Sequence, residues 1–187
     1  MKKRALKHNK SVNLNNKYIV NLCVRYFFLI IVVLSLPLFY RILTPLTVKS
    51  VSFLLNLVYQ GVYSNKNFIY LGKTLIELIP ACVAGSAYIL LLILNLTVEM
   101  SLKKRFFSII ISFLLLFSLN VTRIFLLAIL YHNQNPYFDF THKLFWYFLS
   151  TIFVIGIWFL TVKVFSIKEI PAYSDVKLLI KGMKSRK

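Results

Sequence analysis

Residues 106–131 read FFSIIISFLLLFSLNVTRIFLLAILY. The run is apolar except for Ser108, Ser112, Ser118, Asn120, Thr122 and Arg123. A helix needs about 20 apolar residues to cross the hydrocarbon core of a bilayer, so the stretch predicts a membrane span. It also sets the fold class. Backbone polar groups inside lipid must be satisfied within the segment itself, which points to helices.

Similar blocks lie on both sides of it. Downstream, a polar loop over 132–141 leads into an apolar run from about His142 to Phe165. Upstream, the basic loop Lys103-Lys104-Arg105 follows a run over residues 79–98. A first block covers residues 26–43, with Pro37 as a candidate kink. The expectation is an all-α membrane protein, a bundle of about four transmembrane helices (26–43, 79–98, 106–131 and 142–165). Between the first two, residues 48–63 are broken by Lys49, Ser50, Ser52, Asn56 and Gln60. That pattern suits an interfacial helix. Phe68-Ile69-Tyr70 and Thr74-Leu75-Ile76, joined by Leu71-Gly72-Lys73, read as a small β-hairpin outside the membrane.

Composition agrees. Of 187 residues, 59% are hydrophobic. Spans and short loops use the chain up, so any chemistry takes place within or beside the bilayer. The formal net charge is +18. Residues 1–25 carry Lys2, Lys3, Arg4, Lys7, Lys10, Lys17 and Arg25 with no acid. Residues 166–187 carry Lys168, Lys177, Lys181, Lys184, Arg186 and Lys187 against Glu169 and Asp175. Basic residues flanking apolar spans follow the positive-inside rule, which removes the need for a nucleic-acid partner. With four spans, both tails and the Lys103–Arg105 loop fall on the cytoplasmic side. Residues 44–79 and 132–141 then face outward. A fifth span over 48–63 would separate the N-terminal tail from the other basic segments. The N-terminus does not read as a cleavable signal, because its apolar run starts late and lacks a small-residue cleavage site.

This topology gathers three reactive side chains. Cys82 lies at the outer end of span two and His142 at the outer start of span four. Arg123 lies roughly 12 Å below the outer end of span three. A guanidinium inside a span costs about 2.5–3.5 kcal/mol on insertion scales and requires compensation. It is either a structural arginine bonded to carbonyls or an anion site. Asn120 shares a helical face with Arg123 and is placed to orient it. Cys82 sits among the small residues Ala81, Ala84, Gly85, Ser86 and Ala87, which leave room for a substrate backbone or for close helix packing. Cys23, on the other side, cannot pair with it and reads as structural. No metal-ligand spacing and no cofactor motif is present in the sequence. His132, at the outer end of span three, competes with His142; His8 is excluded by side. Asp139, in the loop three residues before His142, is a candidate orienter or a solvated loop acid.

At these residues the chain resembles the exosortase/archaeosortase family of membrane transpeptidases. The matching segments are Pro80-Ala-Cys82-Val-Ala-Gly85-Ser-Ala-Tyr88, Asn120-Val-Thr-Arg123-Ile124 and His142-Lys-Leu-Phe-Trp146. Many bacterial members continue the cysteine motif with an aromatic and a basic residue. Val83-Ala84-Gly85-Ser86-Ala87 instead resembles the archaeal branch. The resemblance implies Cys82, Arg123 and His142 as catalytic residues, with Asn120, Gly85 and Trp146 in support. It implies exported proteins as partners, each ending in a short motif, a transmembrane helix and a basic tail. The tail is cut near the motif and the new C-terminus is joined to a lipid or other surface acceptor. The competing class is a non-enzymatic membrane scaffold whose Arg123 pairs with a partner helix or lipid phosphate. A transporter fits less well, since the spans carry few charges and no internal repeat.

Overall fold

A computed structural model describes residues 26–98 and 100–166. The two basic tails, Cys23 and His8 lie outside the described residues. A helix, α1, covers residues 26–34, and α2 follows as Leu36–Asn56. The break falls at Ser35, whose Oγ donates to the Val32 carbonyl at 2.6 Å. Pro37 lies two residues beyond this break, in the first turn of α2, where its missing N–H has no intrahelical role.

The sheet follows α2. Strands β1 (Tyr63–Asn65), β2 (Phe68–Leu71) and β3 (Thr74–Glu77) form an antiparallel meander in the order β1-β2-β3. The expected hairpin is present, and β1 is added to it. Lys66 takes φ +51 in the first turn and Gly72 takes φ +57 in the second. Tyr63 stacks on Tyr70 across the pair with ring centroids 4.5 Å apart.

The chain then enters α3 (Pro80–Val83) and α4 (Gly85–Thr97). The long α5 is Leu102–His132. The last rod consists of α6 (Phe138–Leu144), a π-turn over Phe145–Leu149 and α7 (Ser150–Val164). Among the described residues, three helices are long and apolar enough to cross a membrane: Leu36–Asn56, Leu102–His132 and Phe138–Val164.

Three expectations are corrected. Residues 48–56 are not a separate interfacial helix but the second half of α2. Its apparent polar breaks are packed or turned outward: Val48, Val51, Ser52 and Leu55 are buried and Lys49 is exposed. The run over 79–98 is not one helix. Ala84 takes a left-handed conformation, φ +58, and divides it. Alone, α4 rises only roughly 20 Å. The last helix begins at Phe138, earlier than His142. Asn135 sets that start: its carbonyl accepts from the Phe138 N–H at 3.0 Å and its Oδ1 from the Tyr137 N–H at 2.9 Å.

Two apolar clusters hold the elements together. In one, Val48, Val51 and Leu55 of α2 meet Ile69, Leu71 and Leu78 of the sheet region and Val121, Ile124 and Ala128 of α5. The sheet is thereby fixed against α2 and the later half of α5. In the other, Tyr88 and Leu91 of α4 meet Leu116 of α5 and Val154 and Ile157 of α7. Buried polar pairs add a second link between helices. Ser108 donates to Asn95, and Ser112 bonds Thr161 at 3.1 Å. Such pairs satisfy hydroxyls where lipid cannot. Outward faces are apolar, with Phe27, Ile42, Phe106, Leu114 and Phe159 exposed.

Candidate active site

The site is built around a helix that stops after one turn. In α3 the Cys82 N–H bonds the Ile79 carbonyl at 2.9 Å, and the left-handed Ala84 ends the run. The last carbonyls of any helix lack intrahelical donors. Where such carbonyls are buried from water, other parts of the protein must supply the donors.

Here α5 supplies them. Asn120 Nδ2 donates to the carbonyls of Cys82, at 3.1 Å, and Val83, at 3.4 Å. Arg123 Nη2 donates to the same Cys82 carbonyl at 3.0 Å. Asn120 therefore does not bond Arg123, as the shared helical face suggested. The two side chains converge on one acceptor and fix the backbone that carries the sulfur.

Arg123 is 7% exposed. Its Nη1 donates to Ser150 Oγ at 2.9 Å, and Ser150 Oγ donates to the Phe145 carbonyl at 2.6 Å. Hydrogen bonds to a charged group are worth about 1.5–3 kcal/mol each. Two of them offset the roughly 2.5–3.5 kcal/mol cost of placing an arginine within a span. The Nε–H is buried with no partner among the described residues.

The third element is the α6–α7 rod. The ring of His142 stacks on Phe138, with centroids 5.6 Å apart and planes 12° apart. It meets Trp146 edge-on at 6.1 Å. Aromatic neighbours one turn before and after hold the imidazole in place. The π-turn begins at Phe145. A wider turn of this kind re-aims side chains and recurs at functional sites.

Cys82, Arg123, His142 and Trp146 all line one cavity of about 620 Å³, within the usual size of a ligand site. Glu77, Lys143 and Tyr147 also border it. The other candidates lie elsewhere. His132 Nδ1 is bonded to Thr74 Oγ1 at 2.8 Å and its ring packs edge-on against Tyr59. Asp139 is exposed in the first turn of α6 rather than in a loop, and is not part of the cavity wall. Gly85 makes room for a neighbouring helix, not for a ligand. A Cβ there would come within 2.6 Å of the Tyr40 ring.

Sequence reasoning missed Ser150 and the left-handed Ala84. A signal for Ser150 was available: it follows His142 and Trp146 at intervals of four, the spacing of one helical face. Ala84 carried none, since alanine is a poor marker of positive φ.

A family model described as Transmembrane exosortase (Exosortase_EpsH) matches residues 17–162. The chain belongs to the transmembrane exosortase family. The match covers most of the chain and contains all three motifs. No curated protein and no solved structure matches the chain. At the level of the family, exosortases are membrane-embedded sorting transpeptidases of the cysteine peptidase type, acting on exported proteins with C-terminal sorting signals. This exosortase chain is accordingly a membrane protein.

Proposed function

We propose that this exosortase is a cysteine transpeptidase of the archaeal-type branch, with Cys82 as nucleophile, His142 as general base and acid, and Arg123 as oxyanion donor. The observation that carries the reading is the shared cavity of Cys82, Arg123 and His142, built from three separate helical segments.

The reaction is acyl transfer. His142 takes the Cys82 thiol proton as sulfur attacks the scissile carbonyl of the substrate. Negative charge builds on the carbonyl oxygen, and the Arg123 guanidinium, which borders the cavity, stabilises it. The C–N bond breaks, and His142 returns its proton to the leaving amine. The departing product carries the transmembrane helix and basic tail. A thioester remains on Cys82. A lipid, another surface nucleophile or water then attacks it, losing its proton to His142, and the thiol is restored.

Residues 26–165 form the transmembrane catalytic bundle, with residues 1–25 and 166–187 as basic cytoplasmic tails. The segment α3–α4 provides the fourth crossing. Along α5, Arg105 lies in the first turn and Arg123 roughly 27 Å of helical rise further on, in the later part of the helix. The basic loop and the cavity thus lie towards opposite ends of α5. With the loop cytoplasmic, the cavity faces outward, where exported substrates arrive.

The test is a reporter fused to a C-terminal tail from the source genome containing motif, apolar helix and Lys/Arg cluster. Co-expression with the unaltered chain shortens the reporter. Cys82→Ala and Cys82→Ser abolish the shortening while the protein stays in the membrane. Processing that survives Cys82→Ala would favour the scaffold reading instead.

A further inference from the structure

The sheet has an open side that leads to the sulfur. Strand β3 pairs with β2 along one edge, from Phe68↔Glu77 to Leu71↔Thr74. Among the described residues no strand pairs with its other edge. In an antiparallel ladder, main-chain groups point to the partner at every second residue and away from it in between. The Leu78 N–H donates to the Asn67 carbonyl at 2.8 Å, which sets the phase. Leu78, Ile76 and Thr74 thus face β2. Leu75 and Glu77 direct their N–H and C=O groups to the open edge.

Bare edges invite pairing, and proteins blunt them with very short strands, charged side chains, proline or a bulge. Thr74-Leu75-Ile76-Glu77 is short and carries one charge, at Glu77, but it has no proline and its register is unbroken. Residues Leu75 to Ile79 form one wall of the cavity that holds Cys82, Arg123 and His142. The unpaired edge is therefore continuous with the candidate active site.

We infer that the cavity receives its peptide in extended form, as a fourth strand on the open edge of β3, paired through the main chain of Leu75 and Glu77. The occupant is an extended polypeptide because nothing else offers donors and acceptors at strand spacing. A helix has spent its main-chain groups internally, and a lipid chain has none. Alternate side chains of the bound segment then face the cavity, so selectivity falls on every second residue. The inference deepens the proposed function, and its binding step does not depend on which group performs the chemistry.

The test uses the full-length chain in lipid nanodiscs and a strand-forming probe, acetyl-Val-Thr-Val-Thr vinyl sulfone, with Cys82 labelling followed by mass spectrometry. Two counterparts carry N-methyl groups on alternate amides, one set in each. Methylating one set slows labelling roughly tenfold, as losing about two main-chain hydrogen bonds would, and methylating the other set does not. Glu77→Pro removes one of the edge donors and shrinks the difference, while iodoacetamide labels Cys82 equally in both proteins. Equal labelling by all three peptides, zero included, overturns strand addition. So does equal slowing by both methylated sets, or a difference that Glu77→Pro leaves unchanged. A cysteine without a catalytic role fails in the reporter assay instead, which separates the two claims.

Discussion

Arg123 Nη2 and Asn120 Nδ2 donate to the same main-chain carbonyl, that of Cys82, at 3.0 and 3.1 Å. The N-x-x-R motif therefore acts first as a cap on the short helix carrying the sulfur. Arg123→Lys should expose this. A lysine carries charge but lacks a planar fork, so it cannot reach Cys82 and Ser150 together. Reporter processing is expected to fall roughly 10²–10³-fold, the range for a lost oxyanion donor. Quantitative immunoblotting of the shortened reporter checks it.

Asn120→Ala leaves the Val83 carbonyl without its donor and the Cys82 carbonyl with one donor in place of two. A buried unsatisfied group costs about 1–3 kcal/mol. The variant should unfold at lower temperature in detergent and lose activity together with stability. Thermal unfolding read by tryptophan fluorescence measures the shift.

His132 and His142 separate cleanly. His142→Ala should lower processing roughly 10²–10⁴-fold, the usual span for a general acid–base. His132→Ala loses the bond to Thr74 and should cost about 1 kcal/mol of stability with processing retained. Matched expression levels and a single reporter decide between them.

Gly85→Ala places a methyl group against the Tyr40 ring. Overpacking of this kind costs typically about 1–3 kcal/mol. Tyr40→Leu in the same chain should recover part of the loss. A double-mutant cycle on thermal stability tests the pairing.

Sidedness can be read chemically. In a chain with Cys23 and Cys82 replaced by serine, Tyr137→Cys should react with a membrane-impermeant maleimide applied to intact spheroplasts. Ser101→Cys should react only after the membrane is opened.

Much of the fold was legible in the sequence because lipid leaves few options. Long apolar runs such as 106–131 have to be helical, and α5 appears where the run predicts it. The Thr74 strand was also readable from its β-rich residues and the Gly72 turn. Tertiary packing hid the rest. Ser52 reads as a polar interruption of α2 but is buried. Ala84 adopts positive φ although nothing in its type announces it. The candidate site followed the same division. Cys82, Arg123 and His142 were visible as unusual side chains in or at the ends of apolar runs. The role of Asn120 was not, since its acceptor is a backbone carbonyl distant in sequence.

The most direct measurement is acid-quenched mass spectrometry of the purified full-length chain after brief mixing with a genome-encoded sorting-signal peptide. The account predicts a hydroxylamine-labile thioester joining the peptide's N-terminal portion to Cys82, formed more slowly in His142→Ala and absent in Cys82→Ala. Cleaved peptide appearing with no adduct on Cys82, and at the same rate in Cys82→Ala, would contradict it.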